Sequence, residues 1–203
     1  MEGIKNLIID LGGVIVNLAR LRCIEAFESL GVDIREKLVN NYQHKGLFMK
    51  LELGTITPEA FYEGIRSLTQ QYLTDDQIDG AWIAMLEDVP DYKLDLLLDL
   101  RNRYNTFLLS NTNQIHWEWS ERAYFSYQGH DVSDFFNKVY LSYQLHMLKP
   151  NANIFEYVLK DAGLNPEETL FIDDASQNCR TAEHLGMTTY TPQAREDWSH
   201  IFK

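Results

Sequence analysis

Cationic side chains are scarce in this chain. Its 18 lysines and arginines stand against 30 aspartates and glutamates, a formal net charge of -12 at pH 7. Nucleic acids and anionic membrane surfaces are bound through positive charge, so this balance argues against either as the main partner. A small phosphorylated metabolite stays open, because one metal ion and one lysine reverse the local field inside an acidic protein. Cysteine is also sparse: Cys23 and Cys179 make neither a disulfide framework nor a zinc cluster. Both fall in amphipathic helical contexts and read as buried free thiols, so a reduced cytoplasm is the expected compartment. No apolar run approaches the length of a membrane span. Lys5 and Asp10 interrupt the first apolar run, unlike the core of a signal peptide. No internal repeat or low-complexity tract is visible.

What the chain does have is an ordinary globular composition, with 45% hydrophobic and 24% charged residues over 203 positions. That length suits one large domain, or one domain carrying a smaller insertion. Strand-like runs occur at Ile4–Asp10, Thr106–Ser110, Val139–Ser142 and Thr169–Asp173, with a weaker one at Thr188–Thr191. Helical stretches separate the later ones. One carries Ile154, Val158 and Leu159 and stops at Gly163; another follows Asp174 and stops at Gly186. Alternating strand and helix predicts an α/β fold, a doubly wound, mostly parallel sheet of the Rossmann-like kind.

The interval between the first two strands breaks that rhythm. It far exceeds the dozen or so residues that a crossover needs. It contains a helical pattern over Leu18–Leu30, a helix start at Thr57-Pro58-Glu59, and a capping box at Thr74-Asp75-Asp76-Gln77 that opens a helix toward Leu86. Residues 18–88 are therefore expected to form an inserted helical bundle, and Asp91–Arg103 the crossover helix back to the sheet. Residues 1–17 and 89–203 would make the α/β core. An insertion hinged beside the active edge can act as a lid.

Candidate chemistry gathers at strand ends, which is where open α/β sheets bind ligands. The first strand ends at Asp10, before the paired glycines Gly12 and Gly13, which permit a tight turn and a close approach of backbone to ligand. A carboxylate here can hold magnesium or attack an electrophile, although a strand-ending aspartate is as often a turn former. Ser110 and Asn111 precede a helix, where hydroxyl and N–H groups suit phosphate oxygens or an ordinary helix cap. Lys149 can neutralise phosphate, or be a plain loop residue. Asp173 and Asp174 close an apolar strand, and adjacent acids there are costly without a partner. Brought together, such carboxylates repel unless a hard cation lies among them.

The order of these four motifs resembles the haloacid dehalogenase-like hydrolase superfamily from Ile4 to Tyr190. IIDLGGV matches the strand ending in the nucleophile, LLSN the strand ending in serine or threonine, LKP the lysine, and FIDD the strand ending in acids. The position of the insertion matches the superfamily's first type of helical cap. By that resemblance Asp10 attacks phosphorus and forms an aspartyl-phosphate that water hydrolyses. Mg2+ is held by Asp10, the Gly12 carbonyl and Asp174, with Asp173 acting through water or Lys149. Ser110 and the Asn111 N–H bind phosphate oxygens.

One departure matters. Most phosphatases of the superfamily carry a second aspartate, the general acid, two residues after the nucleophile, where this chain has Gly12. Loss of a positioned acid costs about 10²–10⁴-fold in rate for a poor leaving group. Three readings remain: a phosphatase whose leaving group is already acidic or whose acid comes from cap or substrate, a 2-haloacid dehalogenase, or a weakly catalytic binding protein. DLGGV and SNTNQIH resemble a subgroup that includes a glucose-1-phosphate phosphatase, which favours the first. The retained acid pair opposes the second, whose members need no metal. His116 and His44 are the histidines near enough in sequence to stand in for the acid, with a surface or capping role as the plainer reading of each. His44, Lys45, Phe48 and Trp82 are the insertion residues that could face substrate, although a small bundle needs most of its aromatic residues for its own core.

Overall fold

The computed structural model describes residues 3–35 and 46–203. The apolar runs become five strands, β1 (Asn6–Ile9), β2 (Asn105–Ser110), β3 (Lys138–Leu141), β4 (Thr169–Ile172) and β5 (Thr188–Tyr190). All pair in parallel, in the order β3-β2-β1-β4-β5. Ile9 is level with Leu108 on one side and Ile172 on the other, so the residues that follow β1 and β4 emerge together.

Both faces are covered, which explains why the strands read as continuous apolar runs. Leu7, Ile9, Leu108, Leu170 and Ile172 pack against Leu94, Leu97 and Leu100 of the crossover helix α5 (Asp91–Arg103) and against Trp117 of α6 (Gln114–Ala123). Ile8, Phe107, Leu109 and Phe171 pack on the opposite face against Ile154, Phe155 and Val158 of α9 (Ala152–Asp161) and Cys179 of α10 (Ser176–His184). The short helices α7 (Val132–Phe135) and α8 (Ser142–Leu145) flank β3.

Among the described residues between β1 and α5 lie α1 (Arg20–Ser29), α2 (Leu47–Glu52), α3 (Pro58–Arg66) and α4 (Asp75–Ile83). Thr57 caps α3 through the Ala60 N–H, with Pro58 at the first helical position, and Thr74 with Gln77 forms the capping box of α4. Their apolar faces make a core of their own, including Phe27, Phe48, Phe61, Ile65, Ile78 and Trp82; Ile115 of α6 joins it from the sheet side. Where this segment leaves and rejoins the rest, the chain pairs with itself. Asn17 N–H donates to Asp88 O at 2.8 Å, Glu87 N–H to Asn17 O at 2.9 Å, and Ala19 N–H to Met85 O at 2.8 Å.

That pairing corrects the expected boundaries. The first helix starts at Arg20, not Leu18, and α4 stops at Ile83, because Leu18 bridges to Leu86 in an antiparallel pairing that no helix can share. Cys23 and Cys179 are free and buried, and burial pushes the Cys23 thiol up to about 12. Among the described residues, no helix is long and apolar enough to cross a membrane. His44 and Lys45 lie outside the described residues.

Candidate active site

The carboxyl edge of the sheet brings three acids and one lysine together. Asp10 follows β1, and Asp173 and Asp174 follow β4; an oxygen from each lies within 4.8 Å of the others. Lys149, from the loop between α8 and α9, passes beneath the end of β2, donating to Leu109 O at 2.9 Å. Its Nζ then lies 2.9 Å from Asp10 Oδ1 and 2.6 Å from Asp173 Oδ2. Lys149 is 2% exposed and Asp173 0%, so the lysine is no solvated loop residue.

The two neighbouring aspartates are not equivalent. Asp173 has its oxygens occupied: Oδ1 accepts from Ala175 N–H at 2.8 Å, both oxygens accept from Asn178 Nδ2 at 3.0 Å, and Oδ2 meets Lys149. Asp174 is exposed, its Oδ2 lying over Gly13. Gly13 has φ +82°, and a Cβ there would come within 2.2 Å of that oxygen, so both backbone angle and space require glycine. Asp10 Oδ1 accepts from Leu11 N–H at 2.8 Å as well as from Lys149.

Three carboxylates against one ammonium leave an excess of negative charge in a largely dry site. Burial pushes the Asp10 carboxyl up to about 7; Lys149 opposes the shift, and Asp173 and Asp174 reinforce it. Asp174 is likewise raised, by burial and by Asp173, against Lys149 and Arg20. Burial alone would favour neutral Lys149, but Asp10 and Asp173 reverse that and hold the ammonium above the usual lysine value. Hard oxygen donors with surplus negative charge, and one acid already saturated by N–H donors, fit a magnesium ion held by the less engaged carboxylates.

Ser110 ends β2 and is 2% exposed. The Asn111 side chain clasps the Lys149 backbone in both directions, donating to its carbonyl at 2.8 Å and accepting from its N–H at 2.9 Å. The cap of α6 is Asn113, which accepts from His116 N–H at 3.1 Å. Ser110 and Asn111 are thus free of that capping duty. Next to them, Ser142 Oγ accepts from Thr112 N–H at 2.9 Å and lies 2.6 Å from the carbonyl of Glu52 in the inserted segment.

A cavity of about 680 Å³ opens between the insertion and this edge; Lys149, Asn111, Arg20, Glu52, Trp82 and Met85 are among its walls. Trp82 borders the cavity, yet like Phe48 it is 1% exposed and belongs to the core of the insertion. Phe48 is packed between Phe61 and Trp82, away from the cavity walls. His116 is neither a surface residue nor an acid. It is 6% exposed, stacked on Trp82 at 4.4 Å, and bonded through Nε2 to Trp82 O at 3.0 Å. Burial lowers its pKa to about 4, so the ring is neutral near pH 7 and has no extra proton to give. Glu52, Ser142 and Asn178 escaped sequence reasoning, since no motif spacing marks them.

Comparison with known proteins accords with this geometry. A 195-residue alignment, 96% of this chain and 95% of the relative, is 37% identical to D-ribitol-5-phosphate phosphatase of Bacteroides thetaiotaomicron. A crystal structure of a haloacid dehalogenase family enzyme from the same organism, in complex with magnesium and inorganic phosphate, superposes with a TM-score of 0.93. It is 51% identical, over 98% of this chain and 100% of that one. A predicted hydrolase of the same kind from Porphyromonas gingivalis gives a TM-score of 0.90 at 39% identity, over 98% and 96% of the two chains. The family model for haloacid dehalogenase-like hydrolases matches residues 4–186, and to that family this chain belongs.

Proposed function

We propose that the chain is a magnesium-dependent phosphatase that hydrolyses a small phosphomonoester, of the sugar- or polyol-phosphate class, through an aspartyl-phosphate on Asp10. The observation that carries this is the meeting of Asp10, Lys149, Asp173 and Asp174 at the ends of adjacent strands. The names of the relatives point the same way: one is a D-ribitol-5-phosphate phosphatase, and another was crystallised with magnesium and phosphate.

In this reading an oxygen of Asp10 attacks phosphorus in line. The bond from phosphorus to the leaving oxygen breaks, and water then cleaves the acyl phosphate to return Asp10 and inorganic phosphate. Lys149 steadies Asp10 and balances phosphate charge. Ser110 Oγ and the Asn111 N–H receive phosphate oxygens. Asp10, the Gly12 carbonyl and Asp174 would hold magnesium, with Asp173 acting through Lys149 or water, and the ion would supply charge neutralisation for the phosphoryl group. The helices within residues 18–88 serve as a cap over a core of residues 1–17 and 89–203. With two buried free thiols the enzyme suits a reduced cytoplasm.

The test is phosphate release from a panel of para-nitrophenyl phosphate, sugar 1- and 6-phosphates and D-ribitol 5-phosphate, with and without magnesium. Magnesium-dependent release that Asp10→Asn abolishes supports the reading. Release that persists in Asp10→Asn removes the covalent mechanism. Silence on every ester, with chloride released from 2-chloropropionate, would make the chain a dehalogenase instead.

A further inference from the structure

We propose that Glu52 supplies the proton to the leaving-group oxygen, the task for which Gly12 has no side chain. The proposal rests on the phosphatase reading above and deepens it. At Gly12 itself, a Cβ would sit 3.2 Å from Leu18 Cδ1. Leu18, whose backbone bridges to Leu86, would have to shift its side chain by a few tenths of an ångström to admit a residue there. With no side chain at Gly12, a protein proton donor has to come from elsewhere around the cavity.

Among the described residues that line the cavity, Glu52 is the carboxylic acid, and it shares those walls with Lys149 and Asn111. Its position is fixed to the core at three points. Ser142 Oγ lies 2.6 Å from the Glu52 carbonyl while accepting from Thr112 N–H, two residues beyond Ser110. His146 Nδ1 is 3.0 Å from Leu53 O. Gly54, at φ +65°, approaches so closely that a Cβ would come within 2.0 Å of Tyr143 O. The last turn of α2 is thereby seated against α8, and Glu52 lines the cavity from a braced backbone.

The charges around it suit a proton donor. Arg20 of α1 acts on both Glu52 and Asp174, so one guanidinium stands within reach of the cap acid and the core acid. Among the described residues, Lys50 on its own helix and Lys149 on the core wall are the other cationic groups lining the cavity, and His146 lies beneath the turn. Burial pushes the Glu52 carboxyl up to about 7 against the pull of Arg20, so a substantial protonated fraction exists at neutral pH. His116, by contrast, is neutral and turned to Trp82.

The chemistry balances. As an Asp10 oxygen bonds to phosphorus, the electron pair of the breaking P–O bond goes to the leaving oxygen, and Glu52 protonates it, giving the alcohol and a Glu52 carboxylate. In the second half, that carboxylate takes a proton from the attacking water. The acyl phosphate bond breaks to Asp10, phosphate leaves, and Glu52 is again protonated.

The experiment compares wild type with Glu52→Gln on two substrates: para-nitrophenyl phosphate, whose leaving group needs no proton, and the alkyl phosphate of the panel that wild type turns over fastest. A proton-donor role predicts a fall in kcat/KM, which reports the steps up to the aspartyl-phosphate, of about 10²–10⁴-fold on the alkyl ester and only a few-fold on the aryl ester. The aryl activity also reports that the variant folds. Wild type should show an alkaline limb near pH 7 in kcat/KM for the alkyl ester, absent for the aryl ester. Equal losses of kcat/KM on both substrates, no loss on either, or identical pH profiles would overturn the proposal. If wild type releases phosphate from neither ester, the phosphatase reading fails instead, which this design separates from failure of Glu52.

Discussion

Replacing Lys149 by methionine tests how the site is held together before any substrate arrives. Methionine keeps the length and much of the volume but removes the charge. Lys149 is 2% exposed, with Nζ 2.9 Å from Asp10 Oδ1 and 2.6 Å from Asp173 Oδ2. Its loss leaves two buried carboxylates without their common cation, and breaking a buried pair from one side costs about 3–5 kcal/mol. That is a large share of a typical stability of about 5–15 kcal/mol. The cost depends on pH with a definite sign. Burial already holds the Asp10 carboxyl at about 7 with Lys149 present, and it goes higher without it. A carboxyl raised above its unfolded value binds a proton on folding, so stability falls as pH rises from the ordinary carboxylate range toward the folded value. The ammonium is raised too, so its own contribution is constant below the usual lysine range and is lost only above it. Urea midpoints of metal-free protein should therefore separate more at pH 8 than at pH 5. Magnesium should recover part of the difference at pH 8 by replacing the missing positive charge. A deficit under about 1 kcal/mol at pH 8, or the same deficit at both pH values, would refute the account of Lys149 as the clamp between the acids.

Three further outcomes follow from the same geometry. Gly13→Ala forces an L-residue to φ +82° and a methyl to 2.2 Å from Asp174 Oδ2. The backbone should cost about 1–2 kcal/mol, and the displaced carboxylate should raise the magnesium midpoint of phosphatase activity about 10–100-fold; an unshifted midpoint would remove Asp174 from the metal site. Magnesium at 100 times its dissociation constant should stabilise the wild type by about 2.7 kcal/mol at pH 8. At pH 5, where Asp10 is protonated, calorimetry should show a much smaller gain. Ser142→Ala leaves the buried Thr112 N–H without its acceptor at 2.9 Å and cuts the tie to Glu52. It should cost about 1–3 kcal/mol in denaturation, and an unchanged midpoint would show that water replaces the hydroxyl.

Parallel strands buried on both faces leave their mark directly in sequence, which is why β1, β2 and β4 and the acids beyond them were legible. Parallel pairing then brings those acids together, since Ile9 lies level with Ile172. Helix caps were equally readable, because Thr57 and Thr74 act within three residues of themselves. The insertion was harder. Phe48 and Glu52 share one six-residue helix, yet one is buried in the core of the insertion and the other lines the cavity. Which face of so short a helix meets solvent, core or cleft depends on packing partners distant in the chain. His116 misled for a related reason: titration near neutrality belongs to exposed imidazole, and stacking on Trp82 removes it.

The self-paired crossing at Asn17–Ala19 and Met85–Asp88 has a consequence beyond the present chemistry. A segment whose two ends leave and return side by side imposes almost no displacement on the sheet it interrupts. Everything between those ends is therefore exchangeable in principle, in nature or by grafting, provided the short ladder at its root is kept. A lineage could acquire a new diet of substrates by trading this one loop of helices, while the strands that carry the reactive groups stay in register.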